Sequence, residues 1–98
     1  MQIKKIIENK TDYMKILLEA DPDEMIVKKY LSYGDLFVLE ENGKAVCVAV
    51  VVKYDDKTCE LKNIATAPQS RGKGYAGKMI KYLFELENFF EQLPYLVT

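Results

Sequence analysis

The chain contains no histidine. That excludes an imidazole general base, a Ser-His-Asp or Cys-His nucleophile and a Cys/His zinc site. Any general base must be a carboxylate, a tyrosine, a lysine, a thiolate or a chain of waters. Cysteine is scarce: Cys47 and Cys59 lie in strand-like segments and form no C-x-x-C. They read as reduced, packed thiols, and no metal site is expected. Long apolar runs are missing too. The longest, Ala45 to Val52, has eight residues and cannot cross a bilayer as a helix. The opening MQIKKIIENK lacks the apolar core of a signal peptide. Neither sign of charge dominates, since the net charge is −1, and a general nucleic-acid coat is excluded. Together these absences predict a soluble, cytoplasmic protein with no membrane or nucleic-acid partner.

What is present suits one small domain spanning residues 1–98. The composition is 49% apolar and 30% charged, enough for a core without staples. No repeat, low-complexity tract or Gly/Ser linker divides it. QIKKII reads as a strand. TDYMKILLEA reads as a helix capped by Thr11 or Asp12, with Ile16, Leu17 and Ala20 on one face. DPDEMIVKKYLSYG reads as a second helix, capped by Asp21, with Pro22 at its first position, Glu24 completing the cap and Gly34 ending it.

The period then changes. Two strands flank Asn42-Gly43, a strong hairpin signal. In the second, Val46, Val48, Val50 and Val52 alternate with Ala45, Cys47, Ala49 and Val51. Both faces are apolar, so this strand is central and covered on both sides. A further strand, Cys59 to Thr66, leads through APQSR into a long helix predicted from Gly72 to Leu93. Ala76, Met79, Ile80, Leu83, Phe84 and Phe90 form one stripe on it. Tyr82, Leu86 and Phe89 form a second, which suits either a doubly buried helix or a partner interface. YLVT is a last strand, parallel to the fourth through a right-handed crossover. The order is β-α-α-β-β-β-α-β, an α/β chain of α+β type with a mixed, mostly antiparallel sheet.

Gly72, Gly74 and Gly77 spell G-x-G-x-x-G. A dinucleotide fold needs that pattern in the first βα turn, with an acid at the end of the next strand. Here four strands precede the glycines, and the acid at the right distance, Glu91, falls within the predicted helix. A Walker loop fails on sequence, and a kinase loop lacks the rest of its domain. The electrostatics nevertheless favour an anion. Lys62, Arg71, Lys73, Lys78 and Lys81 face no acid between residues 62 and 84. Helix starts prefer acids, and no side chain is placed to cap this one. The glycines allow a phosphate to approach the backbone N–H groups.

ELKNIATAPQSRGKGYAGKMIKYLFE resembles the central motif of the GNAT N-acetyltransferase superfamily, [Q/R]-x-x-G-x-[G/A]. Gln69, Gly72 and Gly74 match it, and NIAT resembles the strand end that precedes it. Gly77 is then incidental, a small residue where the helix crosses the sheet. The resemblance implies acetyl-CoA as cofactor and transfer of acetyl to a primary amine of a small molecule or peptide. It implies that backbone N–H groups of Arg71, Gly72, Lys73, Gly74, Tyr75 and Ala76 cradle the pyrophosphate. It implies that Ile64, Ala65 and Thr66 bond the pantetheine arm as an added strand would. Glu60 stands where several members carry a catalytic glutamate; a surface glutamate is the other reading. Tyr75 touches the cofactor or packs at the helix start. The family continues past a fifth strand with a helix and two more strands, which supply a tyrosine acid and part of the acceptor pocket. We therefore expect one of three things: a fragment of a longer enzyme, a short member completed by a homodimer or second chain, or a non-catalytic acyl-CoA-binding or assembly module.

Overall fold

The computed structural model describes residues 1–56 and 58–86 and the backbone of 96–97. Five strands form one sheet in chain order. They are β1 (Gln2–Ile6), β2 (Asp35–Glu41), β3 (Lys44–Lys53), β4 (Cys59–Thr66) and β5 (Leu96–Val97). Neighbours from β1 to β4 are antiparallel, and β5 runs parallel to β4. Helices α1 (Met14–Ala20) and α2 (Glu24–Tyr33) share a core with one face, and α3 (Tyr75–Glu85) shares a core with the other. The mixed, mostly antiparallel architecture and element order match the expectation from sequence. Among the described residues, no helix is long and apolar enough to cross a membrane.

The β2–β3 hairpin turns on Asn42 at φ 52° and Gly43 at φ 77°. Two left-handed residues are what a type I′ turn requires, which explains the Asn-Gly pair. β3 is the spine, buried from Val46 to Val52. Val48 and Val50 meet Leu17, Val27, Tyr30 and Leu31 of α1 and α2. Cys47, Ala49 and Val51 meet Met79 and Leu83 of α3. Val46 departs from the predicted alternation and joins the α3 side. The cause is a bulge: Leu39 pairs with Cys47 and Glu40 with Ala45, so Val46 is the extra residue. A second bulge lies in β4, where Val50 pairs with Asn63 and Val51 with Leu61, leaving Lys62 extra.

The helix boundaries need correction. Residues Lys10–Tyr13 form a 3-10 turn, and α1 follows without a side-chain cap from Thr11 or Asp12. Ala20 is exposed, and Met14 and Leu18 join Ile16 in packing around Leu17. α2 is capped by Asp23, whose Oδ1 accepts from the Ile26 N–H at 3.1 Å. Asp21 instead accepts from the Asp23 N–H at 3.2 Å, and Glu24 pairs with Lys28. Two competing acids put the sequence reading of the cap two residues early. α3 starts at Tyr75 and ends at Glu85, with Leu86 extended, so it does not run unbroken from Gly72 to Leu93. Tyr82 and Leu86 pack on the α3-side core, and Tyr82 stacks edge-on against Phe37 at 6.2 Å. Their stripe serves this chain's own core, and Phe89 and Phe90 lie outside the described residues.

Gly34 ends α2 for a different reason than predicted. Its φ of −90° suits any residue, but an added Cβ would sit 2.8 Å from both the Tyr30 carbonyl and Val50 Cγ1. The close approach seats α2 on β3. Gly34→Ala should therefore destabilise the fold by about 1–3 kcal/mol, read as a lower midpoint in urea with an unchanged slope.

Candidate functional site

The glycine loop folds as its composition demands. Pro68–Ser70 form a 3-10 turn, and Arg71 is extended. Gly72 (φ +79°) and Gly74 (φ +81°) then take left-handed conformations that an L side chain resists. Gly74 is the N-cap of α3, with no side-chain cap and no acid in the first turn. The N–H groups that open the helix thus keep their partial positive charge. A Cβ on Gly72, Gly74 or Gly77 would meet nothing within 4 Å, so this side of the loop is open. Gly77 is exposed, which corrects the expectation that it lets the helix cross the sheet. Lys73, Lys78 and Lys81 are exposed around the same helix start. Tyr75 turns inward: it packs on the α3-side core, and its hydroxyl lies 3.4 Å from Glu41 Oε2. Lys78 Nζ stands 5.6 Å from the Tyr75 ring centre.

The loop adjoins a strand edge. β5 pairs with β4 only at Cys59 and Glu60. Among the described residues, Leu61 to Thr66 have no strand partner on that side. Outward backbone groups of this kind are what an extended ligand pairs with. Ile64, Ala65 and Thr66 line a cleft of about 320 Å³ with Glu19, Ala20 and Arg71. Thr66 also donates to Cys47 Sγ at 3.7 Å, and burial pushes the Cys47 thiol up, as expected of an inert packed cysteine. Across the cleft Arg71 donates to Glu19 Oε1 at 2.8 Å. Gln69 is exposed beside Lys15 and Ile16 in a neighbouring hollow.

Glu60 lies at the other end of β4, roughly 20 Å of extended chain from Thr66. The Tyr54 hydroxyl donates to its Oε1 at 2.5 Å, and Lys62 Nζ lies 3.2 Å from the same oxygen. The Tyr54 hydrogen bond first, and Lys62 second, hold the carboxyl below its ordinary value against the opposing effect of partial burial. Glu60 in turn raises both Tyr54 and Lys62. The folded Glu60 favours its ionised form, so its contribution to stability is full above the unfolded carboxylate pKa. It is lost as pH falls through the lower folded value. The structure therefore brings Ile64–Thr66, Arg71 and the glycine loop together, and sets Glu60 apart at the far end of the same strand.

Three participants escaped the reading of the sequence. Glu19 and Tyr54 are ordinary surface residue types at unmarked positions. Asn63 had a signal, an amide inside an apolar strand. Its Nδ2 donates to the Leu17 carbonyl at 3.0 Å and to Tyr30 Oη at 2.9 Å, and Tyr30 donates to Asp21 at 3.2 Å. This ties α1 and α2 to β4 between the bulge and Ile64.

The family model described as an acetyltransferase (GNAT) domain matches residues 32–97. A curated relative, the uncharacterized N-acetyltransferase YvbK of Bacillus subtilis strain 168, is 29% identical over 73 residues. That match covers 74% of this chain and 47% of YvbK, so the chain spans about half the length of the curated relative. A GNAT family acetyltransferase from Elizabethkingia anophelis, solved with acetyl-CoA bound, superposes with a TM-score of 0.81 at 28% identity. It is matched over 91% of this chain and 59% of that one. A Bacillus subtilis acetyltransferase in complex with CoA gives a TM-score of 0.73 at 28% identity, over 81% of this chain and 52% of that one. The family model alone matches well over half of the sequence, on the strands, glycine loop and helix described above, and the chain belongs to the GNAT acetyltransferase family.

Proposed function

We propose that this chain binds acetyl-CoA and transfers its acetyl group to a primary amine. The observation that carries this reading is the left-handed glycine loop opening into an acid-free helix start beside a stretch of β4 that no described residue pairs on its outer side. The residues fit the cofactor. Backbone N–H groups from Arg71 to Ala76, including those of Gly72, Lys73, Gly74 and Tyr75, bind the diphosphate. Ile64, Ala65 and Thr66 align the pantetheine arm, and Gln69 borders the loop. Acetyl-CoA supplies the activated acetyl thioester. Glu60 accepts the amine proton as the new N–C bond forms, a β4 backbone N–H polarises the carbonyl, and the thioester C–S bond breaks to release the CoA thiolate, which takes its proton from water.

Acyl-CoA binding without transfer is the second reading. It is favoured by the engagement of Glu60 with Tyr54 and Lys62, which lowers its basicity. Thiol release from acetyl-CoA across a panel of small and peptide amines separates the two. Amine-dependent release supports transfer; CoA binding with no release for any amine supports the binding module.

The Arg71–Glu19 pair yields a further expectation. Glu19 holds the guanidinium that a diphosphate would recruit. An exposed pair contributes up to about 1 kcal/mol, so Glu19→Gln should tighten acetyl-CoA binding about two- to fivefold. Binding of pantetheine, which lacks the diphosphate, should not change. Calorimetry with both ligands checks this.

A further inference from the structure

We infer that Tyr54 and Lys62 are positioning residues for Glu60: among the described residues both bond Oε1 and none bonds Oε2, the oxygen left for the acceptor amine. This rests on the reading of Glu60 as the base. The convergence is geometric, with Tyr54 Oη at 2.5 Å and Lys62 Nζ at 3.2 Å from one oxygen. Each donor has its own structural origin. Tyr54 follows β3, and the hairpin turn holds it: its N–H donates to the Thr58 carbonyl at 2.9 Å, and the Thr58 N–H donates to Asp55 Oδ1 at 2.7 Å. Its side chain is more than half exposed, at 56%, so core packing does not explain the tyrosine. Lys62 is the extra residue of the β4 bulge, two positions beyond Glu60.

A carboxylate tied at one oxygen has fewer orientations to lose when an amine arrives. The two contacts also lower its basicity, a loss that the gain in orientation outweighs. Tyr33, at the end of α2, is the other titratable group that influences both Tyr54 and Lys62. Removing either donor should free the carboxylate to rotate and bring its titration nearer the ordinary value.

The test uses Tyr54→Phe, Lys62→Met and Glu60→Gln, with an amine that supports thiol release. Three quantities are read: kcat, the acetyl-CoA Kd and the Glu60 titration followed by carboxyl-carbon NMR. Tyr54→Phe keeps the ring and should fold as the parent does, which a thermal melt checks. The assignment predicts a kcat lowered roughly tenfold, as for loss of a hydrogen bond to a charged group. The Glu60 titration should move upward and the acetyl-CoA Kd should stay unchanged. Lys62→Met should act in the same direction. A kcat equal to the parent's in both variants overturns the assignment, whether or not the titration moves. Parental turnover in Glu60→Gln overturns the base reading itself, and the positioning role falls with it.

Discussion

Glu60→Gln is expected to lower turnover by about 100- to 10,000-fold, the usual contribution of a general base. With no histidine in the chain, no imidazole can take over. The amide keeps the shape of the side chain but cannot accept the amine proton. Stability should fall by about 1 kcal/mol or less, because the Glu60 and Lys62 side chains are still 22% and 27% exposed and water screens their pairing. Acetyl-CoA affinity should stay within about twofold, since Glu60 and the glycine loop stand at opposite ends of β4. The split between turnover and binding is the diagnostic part. A joint loss of both would point to misfolding, and parental turnover would remove Glu60 from the reaction.

The second large effect belongs to Gly74. Its left-handed φ of +81° at the N-cap of α3 aims the opening N–H groups of the helix outward. A β-branched residue resists that conformation by about 1–2 kcal/mol. Gly74→Val should relieve the strain by shifting the loop, and its side chain would also enter the open space above it. Losing one or two hydrogen bonds to a charged diphosphate weakens binding about 10- to 100-fold. Gly77→Ala is the contrast. Gly77 lies inside the helix with open space around its Cβ position, so alanine should stabilise by about 0.5–1 kcal/mol. Isothermal titration and thermal melts of both variants test whether φ, rather than glycine content, is what the loop requires.

Much of the fold could be read from local chemistry. Asn42-Gly43 specified its turn, because only that type of pair takes two left-handed residues cheaply. The two-sided apolar run of β3 announced a central strand, and Cys59–Thr66 emerged with its bounds intact. The bulges at Val46 and Lys62 were hidden. A period-two pattern carries no mark of an extra residue when its neighbours are all apolar or when a lysine sits at a strand edge. The end of α3 at Glu85 was hidden too, since Leu86 carries the apolar stripe on although its backbone is extended.

The site divides along the same line. The glycine loop and β4 were legible because backbone conformation and strand pattern are written locally. Arg71 was read as one of five bases with no acid nearby in sequence, yet it pairs with Glu19, fifty-two positions away. Tyr54 reaches Glu60 only because the hairpin returns the chain. Asn63 bridges to Leu17 and Tyr30 across the layer between sheet and helices. Such contacts depend on which elements meet, and no single window of sequence contains them.

The central claim is that the glycine loop and the open edge of β4 together hold acetyl-CoA. Calorimetric titration of the 98-residue chain with acetyl-CoA, with NAD as the control, tests it most directly. The account predicts saturable acetyl-CoA binding, weakened about 10- to 100-fold in Gly74→Val, and none for NAD. Binding of NAD in preference to acetyl-CoA, or of neither by a folded chain, would contradict it.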